Sequence, residues 1–267
     1  MKLRLLDFGG LTADQGWFVE GAGTSTLSQT APETVRRNLK MMGVLIEHPK
    51  SGIILYEVGP APNYEQLWPA PVLDIFPITS YTEENRLDRQ LEKAGYSLKD
   101  ISAIIIGHMH LDHAGGIELL RGTNVPIYVH ETELKYAFYA VATKQDFGAY
   151  LPHYIDPSFN WKAVHGLEAA LFEGITVYKT PGHTPGLMAM KVDLKNSGSF
   201  IFTSDTFFFK ENYYDSRAPG WLIRDMSSWW ESLQKIQTLA AGSPQAHIIF
   251  GHDYDVFAEY TKVKYYD

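Results

Sequence analysis

Apolar runs that end on metal-capable side chains recur along this chain and constrain its fold more than any other feature. Ile101-Ser102-Ala103-Ile104-Ile105-Ile106 leads almost directly into His108-Met109-His110-Leu111-Asp112-His113. Phe200-Ile201-Phe202 precedes Asp205, and Ile248-Ile249-Phe250 precedes His252. His183 lies in the rigid turn Thr180-Pro181-Gly182-His183-Thr184-Pro185-Gly186, after another predicted strand. Short apolar runs bounded by turn residues read as buried strands. Strand exits are where rigid scaffolds present reactive groups. A fold that gathers these exits builds a pair of adjacent metal sites, so the chain reads as a metal-dependent hydrolase.

Within the cluster, His108 and His110 share a side because alternate residues of an extended segment do. They point toward one metal. Asp112 and His113 turn toward a neighbouring site after the chain bends. In the His183 turn, proline and glycine restrict the loop while leaving room for a metal close to its backbone. The chain has no cysteine, so thiolate catalysis and disulfides are excluded and any metal must be held by nitrogen and oxygen.

The 267 residues are 45% hydrophobic and 20% charged, an ordinary globular balance with room for a large core. Net charge is -8, which argues against nonspecific binding to nucleic acid or anionic membranes. Asp7 interrupts the N-terminal apolar stretch where a signal peptide would continue, and no run reaches the roughly 20 apolar residues of a membrane span. The cytoplasm is the expected location.

Strands are predicted over 3–8, 41–47, 53–58, 97–106, 125–129, 176–180, 187–192, 199–203 and 246–250. Helices are predicted over 83–94, with Gly95 as terminator, and over 131–141 and 227–239. The segment before Met41 reads as a polar, glycine-containing loop. Residues 60–85 carry Pro60, Pro62, Pro69, Pro71 and Pro77 among Tyr64, Leu67, Trp68, Phe76 and Tyr81. Such a segment predicts a loop without regular helix, packed over the body as a substrate lid. No short-period repeat or linker divides the chain, so residues 1–267 are expected to form a single domain. Two sheets covered by helices is the simplest arrangement; propensity alone leaves a doubly wound sheet open.

The chain resembles the metallo-beta-lactamase superfamily, which carries a His-X-His-X-Asp-His motif, and within it the N-acyl homoserine (quorum-quenching) lactonases. The resemblance spans nearly the whole chain. It runs through Thr82-Glu83-Glu84-Asn85-Arg86, His108 to Gly116, Leu151-Pro152-His153, Pro181 to Gly186, Asp205, Lys210-Glu211-Asn212 and Gly251-His252-Asp253. It implies an α+β fold, a four-layer αββα sandwich with its site at one edge of the sheets. It further implies two divalent ions, zinc above all. His108, His110 and His183 would hold one, Asp112, His113 and His252 the other, with Asp205 bridging. Opening of a lactone ring by a metal-bridging hydroxide is the implied reaction, with Asp112 and Asp205 as catalytic residues and Asp112 helping to move a proton. A homodimer is also implied.

Two departures stand out. Related lactonases have aspartate-threonine-glycine after an early strand, where this chain has Glu57-Val58-Gly59; Glu57 is expected to support a ligand histidine through its longer reach. They also place a tyrosine three residues after the bridging aspartate, where this chain has Phe208, which cannot donate a hydrogen bond. The metals, a water, or a tyrosine such as Tyr213 or Tyr214 are the candidates to compensate. The expected substrate pocket comprises Trp68, Phe76, His153, Phe207, Phe208, Tyr213, Tyr214 and Trp221. Alternatives to acyl homoserine lactone hydrolysis are another lactone or carboxylic ester, or a lactone-binding sensor.

Overall fold

The computed structural model describes residues 1–267, the Phe147 side chain aside. Its strands fall into two sheets in chain order. The first holds β1 (Lys2–Asp14), β2 (Arg36–His48), β3 (Gly52–Tyr56), β4 (Ile78–Ser80), β5 (Ile101–Ile105), β6 (Ile127–His130) and β7 (Trp161–Val164). The second holds β8 (Glu168–Phe172), β9 (Ile175–Lys179), β10 (Met188–Leu194), β11 (Gly198–Phe202) and β12 (His247–Ile249). Spatial order is β4-β1-β2-β3-β5-β6-β7 in one and β12-β11-β10-β9-β8 in the other. β3, β5, β6 and β7 run parallel, as do β11 and β12; the remaining pairs are antiparallel. These mixed sheets close off the doubly wound alternative.

The helices are α1 (Tyr64–Leu67), α2 (Ala70–Ile75), α3 (Leu87–Ala94), α4 (Leu111–Ala114), α5 (Glu131–Thr143), α6 (Lys210–Tyr214), α7 (Met226–Ala241) and α8 (Tyr254–Tyr260). Side chains alternate across each strand, and this sorts the core into three apolar layers. Leu3, Leu5, Ala103 and Ile105 face Val177, Met188, Met190, Phe200 and Phe202 between the sheets. Leu6, Phe8 and Ile104 point the other way, onto Leu87 and Leu91 of α3 and Ala137 and Ala140 of α5. Ala189 and Ile201 likewise turn outward onto Trp229, Leu233 and Ile236 of α7. The result is the αββα sandwich.

Gly95 ends α3 in the left-handed region at φ 90°, as expected. Residues 60–85 depart from expectation, since they contain α1 and α2. Pro69 caps α2 and Pro71 sits in its first turn, where proline's missing N–H costs no helical hydrogen bond. β1 also extends beyond Phe8 to Asp14. Its register shifts between Asp7 and Gly10, with Gly9 at φ 88°, and this bulge carries the strand on to the wall of the functional cavity.

Candidate metal centre

The chain leaves β3, β5, β9, β11 and β12 at one edge of the sandwich, and those exits deliver Glu57, His108, His183, Asp205 and His252. β9 and β11 both pair antiparallel with β10, so their C-terminal ends lie together. The four ligand candidates from β5 share one short segment: His108 precedes α4, His110 caps it, and Asp112 and His113 lie within it.

Asp205 organises the centre. Its Oδ2 lies 3.7 Å from His108 Nε2 and 3.5 Å from His183 Nε2. Its Oδ1 lies 3.3 Å from His113 Nε2 and 3.0 Å from His252 Nε2. His110 Nδ1 stands 3.1 Å from His183 Nε2, and Asp112 Oδ2 stands 3.5 Å from His113 Nε2 and 3.7 Å from His252 Nε2. One carboxylate therefore faces two groups of donors, His108–His110–His183 and Asp112–His113–His252, each within reach of a single ion.

Supporting hydrogen bonds aim the imidazoles. Ser204 Oγ donates to Glu57 Oε1 at 2.9 Å, which leaves it to accept from His108 Nδ1 at 3.2 Å. His183 Nδ1 donates to the Leu222 carbonyl and His252 Nδ1 to the Lys40 carbonyl, both at 2.9 Å. In each case the proton sits on Nδ1 and the Nε2 lone pair is turned inward. Glu57, at φ 58°, lies 3.5 Å from His113 Nδ1. Its approach requires Gly107, where a Cβ would come within 2.4 Å of Glu57 Oε1.

The donor set fits divalent cations. His108 Nε2, His113 Nε2 and Asp205 Oδ1 are buried without a hydrogen-bond partner, a costly arrangement unless something else satisfies them. Burial and neighbouring imidazoles push the pKa values of His108 and His110 well below the usual histidine range, and burial lowers His183. These rings are in the neutral, ligating form. Burial also opposes charge on His113, but Asp112, Asp205 and Glu57 outweigh it and hold its pKa well above normal. For Asp205, burial is outweighed by His252, His113 and His108, which keep it ionised. The negative field that favours a proton on His113 equally favours a cation there.

Glu133 carries no sequence signal of its own, because acids are common in the first turn of any helix. Here it is fully buried, and burial raises its pKa against the hydrogen bonds it accepts. Oε1 accepts from Met109 N at 3.0 Å and Tyr150 Oη at 2.9 Å; Oε2 accepts from Gly186 N at 3.1 Å. It thus ties the His108–His110 segment to the loop of His183. Gly186 permits the contact, since a Cβ would meet the Glu133 backbone at 2.2 Å. Tyr150 in turn packs edge-on against His110 at 4.7 Å.

A cavity of about 1090 Å³ opens onto His110, Asp112, His183, Asp205 and His252. Trp68, Phe76, Phe208 and Trp221, four of the pocket candidates, line it together with Trp17, Phe18 and Leu111, which carry no sequence signal as pocket residues. The other pocket candidates lie elsewhere. Phe207 is buried against Trp229, Tyr213 packs on Phe250, and Tyr214 is 68% exposed. Neither tyrosine lines the cavity that Phe208 faces. The chain is extended at Phe207, so successive rings point to opposite sides. His153 turns toward Glu118 and packs edge-on against Tyr154. Arg217 is committed to the Glu20 carbonyl. No helix among the described residues is long and apolar enough to cross a membrane.

Comparison with known proteins agrees with this architecture. The family model of the metallo-beta-lactamase superfamily matches residues 43–252. An N-acyl homoserine lactonase of Bacillus thuringiensis is 30% identical over 232 residues, covering 84% of this chain and 87% of its own. A solved N-acyl homoserine lactone hydrolase, with the product N-hexanoyl-L-homoserine at its catalytic metal centre, superposes with a TM-score of 0.80 at 27% identity. That match covers 97% of this chain and 95% of the other. A mutant of B. thuringiensis AiiA with N-decanoyl-L-homoserine at its active site gives the same TM-score at 26% identity, covering 97% and 95%.

Proposed function

Because the chain belongs to the metallo-beta-lactamase superfamily, we propose that it is a dinuclear metal hydrolase that opens the ring of N-acyl homoserine lactones. The observation that carries this reading is the division of Asp205 between two donor groups at the floor of a large, mainly apolar cavity. His108, His110 and His183 would hold one cation, Asp112, His113 and His252 the other, and Asp205 both. When bound, such a pair lowers the pKa of water and polarises a carbonyl.

The remaining roles belong to the chain. Leu111, Phe18, Phe208 and Trp68 bury the acyl chain, at about 25 cal/mol per Å² of apolar surface, and keep bulk water from the reacting carbonyl. Water adds to that carbonyl carbon and the ring C–O bond breaks, giving a carboxylate and an alcohol. Asp112 lines the cavity beside His252, in place to pass a proton to the departing ring oxygen. Glu57, Ser204 and Glu133 hold the ligands in position. Phe208 offers no hydroxyl to the developing oxyanion, which favours a second reading, hydrolysis of another lactone or carboxylic ester.

A product-resolved assay tests both. Metal-reconstituted protein is given acyl homoserine lactones, aromatic lactones and simple esters, and ring-opened acid is measured. The expected result is stoichiometric N-acyl homoserine, abolished in Asp205→Ala together with metal content. Binding without ring-opened product would instead mark a lactone sensor.

A further inference from the structure

Within the mainly apolar cavity, one guanidinium is held in place by an acid. Arg224 Nε donates to Asp146 Oδ1 at 3.0 Å, and Tyr136 Oη donates to Asp146 Oδ2 at 2.8 Å. Both Arg224 and Asp146 line the cavity that contains His110, His183 and Asp205. Each belongs to a loop anchored at the metal centre. Arg224 N donates to the Gly182 carbonyl beside His183, while Leu222 two residues earlier accepts from His183 itself. On the other side Asp146 accepts from Ala149 N, and Ala149 accepts from Leu111 N. Lys144, Asp146 and Gly148 all have positive φ, a shape that brings the Asp146 carboxylate under Arg224.

Guanidinium carries five N–H donors. Nε is taken by Asp146 and Nη1 by the Trp221 carbonyl at 3.3 Å; Nη2 makes no hydrogen bond among the described residues. Asp146, by contrast, has both oxygens occupied. The pair therefore stands at the cavity wall with donors still unused, the Arg224 side chain 36% exposed, while its net charge is cancelled. That combination suits a neutral carbonyl oxygen better than an anion.

Resting on the lactone reading, we propose that Arg224 determines specificity by donating to the amide carbonyl oxygen of the acyl group, with Asp146 and Tyr136 holding the guanidinium in place. Wild type, Arg224→Met, Arg224→Lys and Asp146→Asn are compared on N-decanoyl homoserine lactone and a γ-alkyl butyrolactone of matched length that has no amide. The expected result is a preference for the amide substrate that falls about tenfold in Arg224→Met, through KM, with partial recovery in the lysine variant. Equal losses on both substrates in Arg224→Met and Asp146→Asn would reduce the pair to a structural latch and overturn the proposal. Calorimetric binding of ring-opened N-decanoyl homoserine reads the same contact without turnover: about tenfold weaker binding in Arg224→Met supports it, unchanged binding refutes it. Failure of wild type to open either ring would count against the lactonase reading alone.

Discussion

Replacing Glu133 with glutamine tests whether a buried carboxylate away from the proposed reaction sets the metal centre. The carboxylate accepts Met109 N and Tyr150 Oη on one oxygen and Gly186 N on the other. Glutamine preserves the shape and can keep the first oxygen, but its amide nitrogen then faces the Gly186 N–H, donor against donor. One charge-assisted bond is lost and a buried donor is orphaned, a cost of about 2–3 kcal/mol. For a domain of this size that is a fall in Tm of roughly 4–10 °C. Because Met109 lies between two proposed ligands and Gly186 ends the loop of His183, metal affinity should fall with it, about 10–100-fold. Thermal unfolding of the metal-free protein and competition with a chelator measure the two separately. A destabilised variant that binds metal within about twofold of wild type, measured where it remains folded, would show that Glu133 supports the fold without aligning the ligands. If neither quantity changes, the hydrogen bonds are not made in solution.

Two further perturbations probe the cavity and the scaffold. Phe208→Tyr restores the hydroxyl found in related lactonases; since a lost oxyanion donor costs about 10²–10³ in kcat, a gain of about tenfold or more on acyl homoserine lactones is expected. An unchanged or lower kcat would mean that the ring edge does not face the reacting carbonyl. His153 has a pKa lowered to about 4 by burial and by nearby Arg121, and Glu118, 3.7 Å away, is too distant to hydrogen-bond its proton. The unfolded chain takes up that proton near pH 6.5 and the folded one only near pH 4. Stability of the metal-free protein should therefore decline as pH falls through that window. The decline should be shallower in His153→Gln, as read by Tm against pH; identical slopes would exclude His153 as its source.

Much of the fold and most of the candidate metal centre are legible locally. Isoleucine and phenylalanine runs announce strands β5, β11 and β12, and the ligands follow them within a few residues. Gly95 announces the end of α3. β7 and β8 escape because their side chains are largely half-exposed, leaving no clean alternation. α1 and α2 escape because proline is read as a breaker, although in a first turn it is compatible with a helix. Nothing local separates Phe207, buried under α7, from Phe208 in the cavity, or Tyr213 from a ring that faces substrate.

What the amino-acid order determined by itself was a set of strand exits bearing nitrogen and oxygen donors and no sulfur, because period-two apolarity and ligand chemistry are properties of neighbouring residues. The family resemblance implied how those donors divide around Asp205, and the folded chain set the distances that let them meet it. Only the folded chain decided that Glu133 joins two loops and that Arg224 meets Asp146 across the cavity. Each of these contacts joins residues far apart in the chain, and their distances depend on how two sheets and their loops pack.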